Sequence, residues 1–211
     1  MEKVLTISKD YLLVPVKKEA EKRLLTFWCG TEKIYEFEIS CVDTEETYPE
    51  DFCAVLPVKR WKGQKIRIEG DVCESLLSAV REKESAVREN SGYIHFVPET
   101  GWINDPNGLI YSEGKYHLYF QHNPVDVNWG NMSWGHAEST DLLHWVQKED
   151  VMFPDENGTM FSGCAILNER GLLGLPKDTP VFFYTVAGSA SEWSKGKKFV
   201  QRIAYSTDHG E

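Results

Sequence analysis

Between Gly101 and Gly108 the chain reads Gly-Trp-Ile-Asn-Asp-Pro-Asn-Gly, a stretch dense in groups that can act on a sugar. Asp105 brings a carboxylate, able to serve as nucleophile, base or hydrogen-bond acceptor. Trp102, three residues earlier, brings an apolar ring face. Gln121 and Asn123 add neutral hydrogen-bonding groups, and Trp129 and Trp134 add further rings. Sugar hydroxyls need bidentate polar partners, and the C–H face of a sugar packs on aromatic planes. Carboxylate, amides and rings together therefore describe a carbohydrate site. A second reading of the same residues is purely local. Asn and Asp accept from their own backbone, Pro fixes φ and Gly allows positive φ, so a tight turn is expected before a strand at Leu109-Ile110-Tyr111.

The elements that must hold these groups are β-strands. Ala137-Glu138-Ser139-Thr140-Asp141 recurs as Ala204-Tyr205-Ser206-Thr207-Asp208, 67 positions on. Lys115-Tyr116-His117-Leu118-Tyr119-Phe120 has a counterpart in Pro180-Val181-Phe182-Phe183-Tyr184-Thr185, 65 positions on. Two spacings near one period predict successive four-stranded propeller blades, about two of them within residues 92–211. Phe182, Phe183 and Tyr184 read as a buried inner strand.

Residues 1–73 carry short runs of alternating or apolar residues at Tyr11–Val16, Leu24–Trp28, Ile34–Ile39, Cys53–Val58 and Lys65–Glu69, which predict a small β-sandwich. Trp28 and Trp61 within it are expected in the core or an interface, with a sugar platform as the lesser alternative. Residues 74–91 are expected to form a helical connector, because Leu76, Leu77 and Val80 fall at helical spacing ahead of the charged run Arg81–Glu84. Composition divides at the same place. Residues 91–211 hold 15 acids against 8 bases and all six histidines. The fold class is thus all-β: a sandwich at 1–73, a connector at 74–91 and a partial propeller at 92–211.

Whole-chain properties narrow the function. A net charge of −10 gives no electrostatic reason to hold phosphate backbones, so no nucleic-acid partner is expected. No apolar run approaches the roughly 18 residues of a membrane span, so no membrane partner is expected either. Met1–Thr6 lacks the apolar core and cleavage site of a signal peptide, which makes a cytoplasmic location the expectation. Five cysteines stand singly without CxxC spacing, and His136 and His144 lack metal-ligand spacing, so neither a disulfide framework nor a metal site is expected.

Four segments in order, Trp102–Gly108, Tyr116–Pro124, Trp129–His136 and Phe161–Gly163, resemble those of glycoside hydrolase family 32, the β-fructofuranosidases that include invertases, inulinases and levanases. The resemblance spans about residues 93–208. It implies a five-bladed β-propeller whose axial funnel holds the active site, with no cofactor, acting on sucrose or a β-fructan. By resemblance Asp105 is the nucleophile, attacking the anomeric carbon of a β-linked fructosyl unit to form a covalent fructosyl-enzyme. Asn104 and Gln121 carry over as fructose hydroxyl binders, Trp129 as a wall of the sugar pocket, and Phe161 and Ser162 as further pocket residues. A nucleophile that must stay ionised is expected to take hydrogen bonds from neighbouring amides such as Asn104.

The sequence departs from the family in three places. Cys164 stands where Ser is usual after Phe-Ser-Gly. The Arg-Asp-Pro segment, whose Asp binds fructose, does not occur, and neither does the Glu-Cys segment that carries the general acid. Glu99 and Glu138 are the nearby substitutes to weigh for that acid. The expectation is therefore the front portion of a retaining fructosyl hydrolase, nearly inactive by itself. The alternatives are a non-catalytic fructan-binding or assembly module and a fructosyltransferase fragment. Open blade edges also admit a homo-oligomer.

Overall fold

The computed structural model of the chain describes residues 1–85, the backbone of 88–90, and residues 95–208. Part of the expected connector and the first residues of the expected propeller lie outside the described residues. The chain divides into two compact units. One holds 1–86, 100–102 and 123–131; the other holds 87–99, 103–122 and 132–211.

The first unit contains strands β1 (Glu2–Thr6), β2 (Tyr11–Val16), β3 (Glu21–Cys29), β4 (Glu32–Cys41), β5 (Phe52–Pro57) and β6 (Lys65–Gly70), helix α1 (Glu74–Ala79) and strand β7 (Arg81–Lys83). They form two sheets, ordered β1-β6-β3-β4 and β5-β2-β7. The alternation of β4 and β6 turns Phe37, Ile39, Ile66 and Ile68 inward with Leu25 and Phe27 of β3. Leu12, Val14, Val16, Ala54 and Leu56 are the buried residues of the other sheet. Tyr35 links the layers, its hydroxyl on β4 donating to the Pro57 carbonyl of β5 at 2.7 Å. Trp61 is buried edge-on against Tyr35. Trp28 lies beside two cations, with Lys33 Nζ and Arg67 Cζ each 5.4 Å from its ring. Neither indole is a bare sugar platform.

The helical reading of 74–91 is corrected. Helix α1 ends at Ala79, and the charged run forms β7, whose Arg81, Glu82 and Lys83 pair with Leu13, Leu12 and Tyr11. The apolar spacing ends at Val80, so nothing beyond it gives a helix a face to bury. An open edge of β2 offers the backbone a ladder instead.

The second unit contains β8 (Arg88–Asn90), β9 (Trp102–Ser112), β10 (Lys115–Asn123), β11 (Ser133–Ser139), β12 (Trp145–Gln147), β13 (Thr159–Leu167), β14 (Pro180–Ala187) and β15 (Val200–Tyr205). One sheet runs β8-β12-β11-β10-β9 and the other β13-β14-β15. Strands β9 to β12 are an up-and-down meander, and β13 to β15 repeat its first three positions. The sequence repeat lands on equivalent strands, Lys115–Phe120 on β10 with Pro180–Thr185 on β14. Its closing turn recurs in detail. Ser139 Oγ donates to Asp141 Oδ1 at 3.2 Å and accepts from the Asp141 N–H. Ser206 Oγ likewise donates to Asp208 Oδ1 at 2.6 Å and accepts from the Asp208 N–H. Both copies are blades of one design. Between them lies a core of Tyr119, Trp134, Met160, Phe182, Tyr184 and Val186.

Phe27 is 1% exposed at the centre of the sandwich core, edge-on to Tyr35 and Phe37. Phe27→Ala is expected to destabilise that unit by about 3–5 kcal/mol, read as a lower urea midpoint, whereas truncation of the exposed Leu143 is expected to change it by less than about 0.5 kcal/mol.

Candidate active site

Asp105 sits on β9, the edge strand of the first blade, and Ser162 on β13, the edge strand of the second. The Ser162 hydroxyl donates to Asp105 Oδ2 at 2.7 Å. This bond crosses between blades and points the Asp105 carboxylate in one direction. The turn expected at Asn104–Gly108 is absent, since Trp102–Ser112 is one strand of 11 residues. Its irregularity is confined to Gly108, at φ +47°, where a Cβ would meet the Tyr119 ring at 3.2 Å. The turn-forming residues here shape an edge strand rather than reverse the chain.

Asn104 is exposed and is not the donor to Asp105. Adjacent residues of an extended strand point to opposite faces, so Asn104 cannot turn to its neighbour's carboxylate. The donor comes from another blade, a partnership that no local spacing announces.

Ser162 reaches Asp105 because β13 is irregular. Its register against β14 shifts between Met160 and Gly163, so the ladder skips Phe161 and Ser162. Such a bulge re-aims side chains that a regular pleat would place elsewhere. Gly163 resumes the ladder, and a Cβ there would lie 2.2 Å from the Phe183 carbonyl oxygen. The Phe-Ser-Gly run is thus a bulge followed by a residue that has no room for a side chain. Phe161 is half-buried, edge-on to Phe199 at 5.8 Å, and its carbonyl accepts the Trp134 indole N–H at 3.0 Å.

Gln121, on β10, is 2% exposed, and its side-chain nitrogen donates to the Met160 carbonyl at 2.8 Å. With the Asn107 amide oriented to satisfy its neighbours, the same nitrogen also donates to the Asn107 oxygen at 3.0 Å. Both of its donor hydrogens are thus used within the protein, which leaves the carbonyl oxygen to accept from a hydroxyl. Gln121 thereby joins β9 to β13. Trp134 is fully buried and belongs to the core rather than to a sugar-facing surface. Asp105, Asn104, Gln121, Phe161 and Ser162 all lie in the second unit. Trp129, 56% exposed, and Trp102 belong to the first.

Glu138 does not have the character of a proton donor. Burial alone pushes the Glu138 carboxyl up, but the Lys115 ammonium at 2.8 Å and Lys148 at 3.7 Å outweigh it and hold the group below the usual carboxylate range. Glu99 is tied at its backbone, where its N–H donates to Gln147 Oε1 at 2.9 Å.

Among the described residues, His117, His136 and Glu138 are the one group whose ligand atoms gather closely enough for a metal ion. The two rings lie 10° from coplanar, with His117 Nδ1 and His136 Nε2 3.1 Å apart. The distance fits a hydrogen bond. His117 is bonded to the Ser112 backbone, which assigns its Nδ1 as acceptor and His136 Nε2–H as donor. His136 Nδ1 is buried, and among the described residues no donor reaches it. Burial pushes His136 down to about 3 and lowers His117 as well.

A family model, the glycosyl hydrolases family 32 N-terminal domain, matches residues 95–211. The levanase of Bacillus subtilis (strain 168) is 43% identical over 119 residues, covering 55% of this chain and 16% of the levanase. The raffinose invertase of Escherichia coli is 47% identical over 107 residues, covering 48% of this chain and 22% of the invertase. The extracellular exo-inulinase of Aspergillus awamori is 41% identical over 133 residues. Its crystal structure superposes with a TM-score of 0.49 at 38% identity, covering 56% of this chain and 25% of that one. The chain spans about a quarter or less of the length of these relatives.

The histidine pair makes stability depend on pH. In the folded state His136 stays neutral down to about 3, whereas in the unfolded chain it takes a proton near 6.5. Below pH 6.5 the unfolded state therefore binds more protons, and stability falls as pH falls. At pH 4.5 the loss from His136 is about 2–3 kcal/mol relative to pH 7. Urea midpoints measured between pH 7 and pH 4.5 are expected to show this fall, and His136→Leu to flatten most of it.

Proposed function

Because the chain belongs to glycosyl hydrolases family 32, we propose that it carries the nucleophile of a retaining fructoside hydrolase. The observation that carries this reading is the Asp105 carboxylate on one blade's edge strand, oriented by the Ser162 hydroxyl from the next at 2.7 Å. Ser162 occupies Oδ2, so Oδ1 is the attacking atom. It forms a bond to the anomeric carbon of a β-linked fructosyl unit while the bond from that carbon to the leaving oxygen breaks. A general acid protonates the leaving oxygen, and water then hydrolyses the fructosyl ester.

The pocket residues divide the remaining work. The Gln121 carbonyl oxygen and the exposed Asn104 amide bind fructose hydroxyls. Phe161, on the bulge, supplies an apolar wall beside Ser162, and Trp129 of the first unit is read, from its motif alone, as a sugar-facing ring. The substrate class is sucrose-type fructosides and β-fructans. Relatives named levanase, raffinose invertase and exo-inulinase support this reading.

The Glu-Cys segment that carries the acid in the family does not occur in this sequence, and we read the acid as supplied from elsewhere. Glu138 is held ionised by two lysines, and a deprotonated carboxylate cannot protonate a leaving group. The 211-residue chain alone is therefore expected to release little fructose from sucrose, inulin or levan.

In the intact enzyme, Asp105→Asn is expected to lower fructose release from these three substrates by about a thousandfold or more, with an unchanged far-UV circular dichroism spectrum. Activity retained at a tenth of wild type would overturn the assignment. Fructose release by the 211-residue chain that disappears with Asp105→Asn would overturn the external origin of the acid.

A further inference from the structure

Segment 123–131 connects β10 to β11 in sequence, yet it folds into the first unit with the N-terminal sandwich. Two of its side chains are anchored there. Asp126 is fully buried, and both of its carboxylate oxygens are occupied. Oδ2 takes the Lys22 ammonium at 3.0 Å and the Ser40 hydroxyl at 3.2 Å. Oδ1 takes the Val127 N–H at 2.6 Å and the Asn128 side-chain amide at 3.3 Å. Lys22 on β3 and Ser40 on β4 are cross-strand partners in the ladder, so one rung of the sandwich presents both donors together. A buried carboxylate with a cation and three further donors is a fully compensated charge that fixes one geometry.

The second anchor is Asn131. Strand β4 is the edge of its sheet, and its Glu38 backbone faces outward. Asn131 Oδ1 accepts the Glu38 N–H at 2.9 Å, and its Nδ2 donates to the Glu38 carbonyl at 2.9 Å. The side-chain amide acts as a one-residue strand on that edge. Asn123 closes the loop from within, donating to the Asn128 carbonyl at 2.8 Å and accepting from Asn131 Nδ2 at 3.2 Å. Trp129 lies between the anchors, three residues after Asp126 and two before Asn131, with more than half its surface exposed. A large apolar ring, more than half exposed, is thus carried on a loop anchored on both sides of it.

We propose that the N-terminal sandwich is the positioning module for the Trp129 ring, holding it for the C–H face of a fructosyl unit through Lys22, Ser40 and Asp126 at one anchor and Asn131 at the other. Asp126 is accordingly a positioning residue that governs sugar affinity without touching the sugar. The proposal rests on the reading of Trp129 as a sugar-facing ring. Ordering the loop before substrate arrives means that binding does not carry the entropy cost of fixing it.

Hydrogen exchange on the 211-residue chain reads the loop directly. Asp126→Asn is nearly isosteric, but an amide has one acceptor oxygen where the site offers donors on both sides. Amides of 125–131 are expected to exchange about tenfold faster or more, while β3 and β4 keep wild-type protection. Lys22→Met is expected to do the same and Lys22→Arg to preserve protection. Unchanged exchange at 125–131 in both Asp126→Asn and Lys22→Met overturns the proposal. Protection lost equally across β3 and β4 also overturns it, because Asp126 would then be a strut of the sandwich. In the intact enzyme, Trp129→Ala and Asp126→Asn are each expected to raise KM about three- to thirtyfold with kcat within about twofold. Wild-type KM in Trp129→Ala overturns the sugar-facing reading itself. A raised KM in Trp129→Ala beside an unchanged KM in Asp126→Asn overturns the positioning role alone.

Discussion

A tryptophan excluded from water must still place its indole N–H, and Trp134 places it on the carbonyl of Phe161. That bond joins the core of the second unit to the edge of its second blade. Its consequences extend outward. The Phe161 carbonyl turned to Trp134 is unavailable to the β13–β14 ladder, and the ladder's register shifts at that point. The bulge carries Ser162 to the Asp105 carboxylate, and Gly163 returns the strand to register where only a glycine fits. Gln121 acts in the same way from β10, with its nitrogen on the Met160 carbonyl one residue before the bulge. Two buried polar side chains, each obliged to find a partner, thereby set the backbone that brings Ser162 to Asp105, the proposed nucleophile. The core and the site share the same hydrogen bonds.

The parts of this arrangement visible in the sequence are those set by local pattern. Alternation marks β4 and β6, and apolar density marks β2, β5 and β14, because burying one or both faces of a strand leaves a periodic trace. The repeat was visible for the same reason, since Ser139 with Asp141 and Ser206 with Asp208 each close a turn within three residues. What depended on distant partners was not visible. Asn104 stands beside Asp105 in sequence, yet the donor is Ser162, 57 residues away. The turn residues at 104–108 carry real turn propensity, and pairing with β10 overrides it. The charged run after Val80 has no strand signature, and becomes one because β2 has an unpaired edge. Motif resemblance supplied the chemical identity of residues whose geometry no spacing could give.

The three carboxylates at Asp105, Asp126 and Glu138 differ chiefly in what donates to them. Glu138 lies between two ammonium groups, which neutralise its charge and hold it in place on β11. Asp126 is fully buried with a lysine, a hydroxyl, a backbone N–H and an amide, so every direction of approach is filled by protein. A nucleophile can be neither. It needs an oxygen with a lone pair facing the substrate, and a negative charge that no nearby cation has already neutralised. Asp105 is exposed, and its partner is a neutral hydroxyl on one oxygen. A neutral donor orients a carboxylate at much smaller cost to its charge than an ion pair does. On the proposed mechanism, an entering sugar would displace water from the exposed oxygen while the hydroxyl bond persists, so the carboxylate would lose its hydration and keep its aim. Of the three, Asp105 is the exposed carboxylate with a neutral hydroxyl donor, the arrangement that the proposed nucleophile requires.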